Sequence, residues 1–128
     1  MKRKRQLGDL QLAIMRVLWK RGEAPAIEVH RALLEERGLA VTTIKTMLRK
    51  LEEYGCVEHR TNGRQFIYRP AIEEADVRQG MVAEFVRRLF SGDSAALVNH
   101  LVRSGEIDAG DLEELGEIIS RKRKEGTK

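Results

Sequence analysis

Val41-Thr-Thr-Ile-Lys-Thr-Met-Leu-Arg-Lys-Leu51, followed closely by His59-Arg-Thr-Asn-Gly-Arg-Gln-Phe-Ile-Tyr-Arg69, is the stretch whose reading decides the fold. With Thr42 at zero and a helical step of about 100° per residue, Lys45, Thr46 and Arg49 fall within about 60° of it on either side. Ile44, Met47, Leu48 and Leu51 fall on the opposite side, between about 140° and about 240° on the same step. One side must therefore pack, and the other is free to touch a partner. The free side is chemically specific. Threonine hydroxyls donate or accept and the Thr methyl packs on a thymine methyl, while Lys and Arg reach guanine edges or phosphate oxygens. A plain solvated face would include acids, as the preceding helix does at Glu28, Glu35 and Glu36. Here the outward residues of the first two turns include none, and Glu52 and Glu53 come only at the far end. The helix is expected over about residues 42–54, capped by Thr42 or Thr43 and ended by Gly55.

The second piece reads as a basic β-hairpin, with strands at about 57–61 and 64–69 joined by Asn62-Gly63, the strongest short hairpin signal in a sequence. Arg60, Arg64 and Arg69 decorate it. Arginine beside a backbone turn suits phosphate contact or entry into a minor groove. Phe66 and Tyr68 alternate with Gln65 and Ile67, so one aromatic-bearing face is expected to pack on the helices.

Upstream, Asp9 is expected to cap a helix running to Gly22, with Leu10, Ala13, Ile14, Val17 and Leu18 at helical spacing and Trp19 at its edge. Ala24-Pro25-Ala26 reads as a short extended connector. A second helix over about 26–37 carries Ile27, Val29, Leu33 and Leu34 and closes at Gly38. Helix, helix, helix, hairpin is the order of a winged helix-turn-helix, and Pro70 closes it.

Beyond Pro70 three further helices are expected, at about 72–90, 94–103 and 108–123, broken at Ser91-Gly92-Asp93 and reopened at Asp108, with a charged and mobile tail from Arg121. The fold class is thus mainly α (α+β). Residues 1–70 form a winged-helix DNA-binding domain and residues 71–128 a helical dimerisation domain. The second half is apolar along several helices yet too thin to bury them alone, which calls for a partner chain. Val82, Phe85, Val86, Leu89, Leu97, Leu101, Leu112, Leu115, Ile118 and Ile119 are the expected dimer contacts.

Charge follows the same division. Residues 1–70 hold 15 Lys+Arg against 8 Asp+Glu, and residues 71–128 hold 9 against 12. A basic first half fits a polyanionic partner. The tail Lys2-Arg3-Lys4-Arg5 can track phosphates, and Lys4 and Arg5 join the expected DNA contacts. The one cysteine, Cys56, excludes an intramolecular disulfide and reads as a small packing residue. His30, His59 and His100 are scattered, so neither metal nor cofactor is expected. No apolar run approaches the roughly 18 residues of a membrane span, and the charged N-terminus lacks the core of a signal peptide. A cytoplasmic protein without membrane insertion is expected. No nucleophile–base pair, glycine-rich phosphate loop or carboxylate pair supports an enzyme.

These residues resemble the BlaI/MecI family of penicillinase repressors over about residues 7–120. Leu7-Gly-Asp-Leu-Gln-Leu-Ala-Ile-Met-Arg-Val-Leu-Trp19 resembles the family's opening helix, residues 42–55 its recognition helix and Asn62-Gly-Arg-Gln-Phe-Ile-Tyr-Arg-Pro70 its wing. Leu89–Val98 and Ile107–Leu115 resemble its C-terminal segments. The resemblance implies a homodimeric repressor on a palindromic operator in double-stranded DNA, read by Thr42, Thr43, Lys45, Thr46 and Arg49 with Arg60 and Arg64 of the wing. It also implies a membrane-bound sensor metalloprotease as upstream partner, acting through cleavage at an Asn-Phe bond. The matching pair here is Asn99-His100, which lacks the phenylalanine. The cysteine cluster of the family's copper-responsive branch is absent. The competing reading is a winged-helix module that binds protein and not DNA, since fold alone does not set function.

Overall fold

The computed structural model describes residues 7–126. Three helices form the first layer: α1 (Asp9–Arg21), α2 (Ala26–Arg37) and α3 (Val41–Glu53). Between α1 and α2 runs a two-residue strand, β1 (Ala24–Pro25), and after α3 come β2 (Val57–Asn62) and β3 (Gln65–Pro70). The strands form one antiparallel sheet in the order β1-β3-β2. The extended connector before α2 is therefore a third strand, with Ala24 opposite Tyr68 and Pro25 opposite Ile67. Proline tolerates this position because β1 is an edge strand.

The core explains the helices. Ile14, Met15 and Leu18 of α1, Val29 of α2 and Ile44, Leu48 and Leu51 of α3 are completely enclosed, and Ala24, Val57 and Tyr68 bring the sheet onto them. Ile27 and Leu34, placed in the apolar set of α2, are exposed instead. They lie more than about 90° round the helix from Val29 and Leu33, outside the buried stripe.

Several boundaries differ from expectation. The residue before α1 is Gly8, not Asp9, and its N–H is satisfied by Gln11 Oε1 at 3.0 Å. That bond ties the N-cap backbone to the first turn, but no side chain accepts from the first helical N–H groups, the role expected of Asp9. The third helix starts one residue early, at Val41, with Ala40 in the cap position and no side-chain cap. Neither Thr42 nor Thr43 caps it, because both already lie inside the helix. The hairpin is offset by one: Asn62 pairs with Gln65, so Gly63 and Arg64 are the central turn residues. Gly63 has φ 64° while Arg64 is not left-handed, the pattern of a type II′ turn.

Contacts divide the chain into one unit ending at Met81 and another beginning at Val82. The division falls inside α4 (Glu74–Phe90), which starts two residues later than expected. Its beginning belongs to the first unit. Ile72 and Val77 pack against the core, and Trp19 Nε1 donates to the Ile72 carbonyl at 3.0 Å.

The second unit holds the rest of α4, α5 (Ser94–Arg103) and α6 (Ala109–Gly126). Asp93 caps α5 by accepting from Ala96 N–H at 3.1 Å. Asp108 Oδ1 accepts from Asp111 N–H at 2.8 Å, and Asp111 Oδ2 accepts from Asp108 N–H at 3.1 Å, a reciprocal cap before α6. Lys124 and Glu125, expected beyond the end of the last helix, continue α6. The run Arg121 to Glu125 holds strong helix formers and places cations at the negative end of the helix dipole.

Candidate nucleic-acid interface

The turn between α2 and α3 sets the direction of the exposed helix face. Gly38 adopts the left-handed conformation, φ 59°, and its N–H closes on the Leu34 carbonyl at 2.8 Å. His30 Nε2 lies 2.6 Å from the Leu39 carbonyl, which can only accept, so the imidazole donates. α3 is then pinned by Ile44, Leu48 and Leu51. Thr42, Lys45, Thr46 and Arg49 are left exposed, with Thr43 half-buried. Buried and exposed residues of α3 separate along the line that the helical spacing predicts.

Arg64 sits at the tip of the β2–β3 wing. Lys45 and Arg49 from α3 and Arg64, Gln65 and Phe66 from the wing line one cleft, whose remaining wall comes from Pro25, Ala26, Ile27, Val41 and Tyr68. Three cations and no acid face this space. Thr42 and Thr46 lie on the neighbouring strip of α3, outside the cleft lining. Among the described residues, Lys45, Arg49 and Arg64 have no salt-bridge partner.

The other wing arginines do have partners. Arg60 donates to Glu23 through Nη2 at 2.9 Å and Nε at 3.4 Å. Arg69 donates to Glu58 at 2.6 and 3.0 Å. Hydrogen bonding from Arg60 holds the Glu23 carboxyl below its ordinary range and raises the guanidinium in turn. Glu23 lies 37 residues from Arg60 in the chain, and no local pattern announces the pair. Arg60, an expected DNA contact, thus stands beside a carboxylate, while Arg64 does not. Lys4 and Arg5 lie outside the described residues.

The aromatic face of the wing is divided. Tyr68 is buried, and this burial, followed by the charge of Glu52, pushes its phenol upward against the opposing effect of Arg49. Phe66, expected to pack on the helices, is 48% exposed and faces the cleft. It stands near the free end of the hairpin, beyond the reach of the core. His59 lies between Phe66 and Glu52, with its ring stacked on Phe66 at 4.0 Å and Nδ1 at 2.8 and 2.9 Å from the two carboxylate oxygens. No sequence signal marked this arrangement.

In the second unit, Val82, Phe85, Leu89, Leu112, Ile118 and Ile119 are exposed and Leu97, Leu101 and Leu115 half-buried. Val86 differs, being 6% exposed and so already covered within the single chain. Asn99 and His100 lie inside α5, where Asn99 Oδ1 accepts from Arg103 Nε at 2.9 Å.

A helix-turn-helix with a cationic cleft between its third helix and a β-wing defines a winged-helix module of the kind that holds duplex DNA. Residues 7–121 match the profile of the penicillinase repressors, and the chain belongs to that family. It is 29% identical over 119 residues to the penicillinase repressor of Bacillus licheniformis, covering 93% of each chain. It is 33% identical over 110 residues to the transcriptional regulator BlaI of Mycobacterium tuberculosis, covering 84% of this chain and 80% of that one. Among solved structures it resembles the monomeric form of Bacillus licheniformis BlaI in complex with the blaP half-operator, with 37% identity and a TM-score of 0.50 over 59% of this chain and 93% of that one.

Proposed function

We propose that this chain is a sequence-specific DNA-binding transcriptional repressor that acts as a homodimer on an inverted-repeat operator. The observation that carries the reading is the convergence of Lys45 and Arg49 from α3 with Arg64 from the wing tip on one cleft without acids. Such a cleft takes a phosphate backbone at the wing while α3 enters the major groove. Thr43, Lys45, Thr46 and Arg49 then meet base edges or the phosphates beside them. The relative captured with a half-operator supports DNA as the ligand of this surface.

The exposed apolar side chains of the second unit support a second copy of the chain as their cover. Two-fold symmetry would present two recognition helices about 34 Å apart, one turn of duplex. The Asn99-His100 bond lies in a helix interior, where its cleavage requires α5 to unwind first, and it lacks the phenylalanine of the family's cleaved pair.

The direct test is the double variant Thr46→Ala with Arg49→Ala, assayed by gel shift on the region upstream of the chain's own gene across salt concentrations. The wild-type chain is expected to bind with a steep salt dependence. The variant is expected to lose operator binding while remaining dimeric in sedimentation. Unchanged binding by the variant, or wild-type binding indifferent to salt, would refute the reading.

A further inference from the structure

We infer that His59 is a positioning residue for DNA binding, which sets the wing tip against the recognition helix. The inference rests on the DNA reading of the cleft and deepens it. The wing is a two-stranded ribbon beyond the reach of β1, whose pairing covers only Tyr68 and Ile67 of β3. Its distal part, from Thr61 to Phe66, therefore has backbone pairing between its own two strands only. Such a ribbon twists and bends easily. Arg64 can act together with Lys45 and Arg49 only if that bending is restrained.

The restraint is a short chain of contacts. Glu52, in the last turn of α3, accepts from His59 Nδ1 through both carboxylate oxygens. The imidazole, fixed in orientation by this bond, stacks on Phe66 with an interplanar angle of 17°. Tyr68 closes the group, tilted against His59 at 5.6 Å and edge-on to Phe66 at 6.3 Å between ring centroids. Phe66 is two residues from Arg64 and lines the same cleft. A side chain on the recognition helix is thereby coupled, through one imidazole and one phenyl ring, to the strand that leaves the turn holding the wing-tip cation. Fixing this geometry before DNA arrives lowers the ordering cost of binding. His59 and Glu52 are half-buried and outside the core, so replacing either leaves Ile14, Leu18, Ile44 and Leu48 enclosed.

The test is a double-mutant cycle between His59→Ala and Arg64→Ala, with binding to a labelled duplex from the upstream region of the chain's own gene as the readout. In the wild-type background Arg64→Ala is expected to weaken binding about tenfold and to lower the slope of log affinity against log salt by about 0.9. In the His59→Ala background the same substitution is expected to cost less than about twofold, because Arg64 is no longer held in place. Glu52→Ala should reproduce the effect of His59→Ala. Glu52→Gln, which keeps an oxygen acceptor, should restore most of the affinity. Melting temperatures of all variants separate lost positioning from lost fold, and Glu52→Ala serves if His59→Ala melts early. Additive losses, or a Glu52→Ala variant that binds like wild type, would overturn the inference while leaving the DNA reading intact. A wild-type chain that does not bind the duplex at all would overturn both.

Discussion

At the scale of single residues, the wing arginines are not equivalent. Arg60 is held by Glu23 and Arg69 by Glu58, whereas Arg64 projects at the turn without a carboxylate partner among the described residues. A phosphate approaching Arg60 must compete with Glu23 and meets that carboxylate's repulsion. Arg64→Gln is therefore expected to weaken duplex binding more than Arg60→Gln does. Glu23→Gln, which frees Arg60 and removes a negative charge, should strengthen binding by about two- to threefold, with the gain fading at high salt. Fluorescence anisotropy of the three variants against one labelled duplex at two salt concentrations checks the order. Equal losses for Arg60→Gln and Arg64→Gln would show that the Glu23 pair has no bearing on DNA contact. The residues of α3 were legible in the sequence because a helix imposes a fixed angular step, so Ile44, Leu48 and Leu51 separate from Thr42, Lys45 and Arg49 without further information. The Glu23–Arg60 and Glu52–His59 pairs were not legible. They depend on where the wing folds back, which no local periodicity encodes.

At the scale of elements, β3 is the member on which the first unit depends. It lies between β1 and β2, and Tyr68 brings it onto the core. Burial, then the charge of Glu52, raises the phenol of Tyr68 in the folded chain. A group whose pKa is raised on folding supports the fold below its unfolded pKa, and that support is lost as pH rises through the folded value. The melting temperature of the first unit is thus expected to fall on the alkaline side, beginning near the ordinary tyrosine range of about 10. Tyr68→Phe, which cannot ionise, should reduce that fall, and melting curves followed by circular dichroism through this range check it. An identical alkaline decline in Tyr68→Phe would assign the loss to other groups. Asn62-Gly63 announced the hairpin, but the register sits one residue along, with Gly63 as the first central residue of the turn. The pairing of Arg60 with Ile67 and of His59 with Tyr68 places the wing's buried residues against the core, which puts Arg64 at the tip. The third strand was hidden for a related reason. Two residues, Ala24 and Pro25, carry no strand periodicity, and their role exists only because β3 passes beside them.

At the scale of the whole molecule, one chain presents a basic reading unit and a second unit with much of its apolar surface uncovered. Leu89 is 63% exposed and Ile119 57%. Side chains of this size left in water are the signature of an interaction face. The double variant Leu89→Glu with Ile119→Glu is expected to shift the protein to monomer in analytical ultracentrifugation. Affinity for a two-half-site duplex should fall by at least about a hundredfold, with affinity for a single half-site little changed, because only the two-site complex gains from linkage. A dimer that survives both charges would move the interface elsewhere. The sequence by itself determined the order of helices and hairpin, the split between buried and exposed faces of α3, the basic first half and the family membership that these share. Each is written in local spacing or composition, which the backbone geometry of helix and strand converts directly into faces. Only the tertiary structure decided which cations lack a carboxylate partner, that Phe66 lines the cleft, and that His59 stands between Phe66 of the wing and Glu52 of α3. Those outcomes depend on distances between residues far apart in the chain, which are set when the core closes and the hairpin is laid against it.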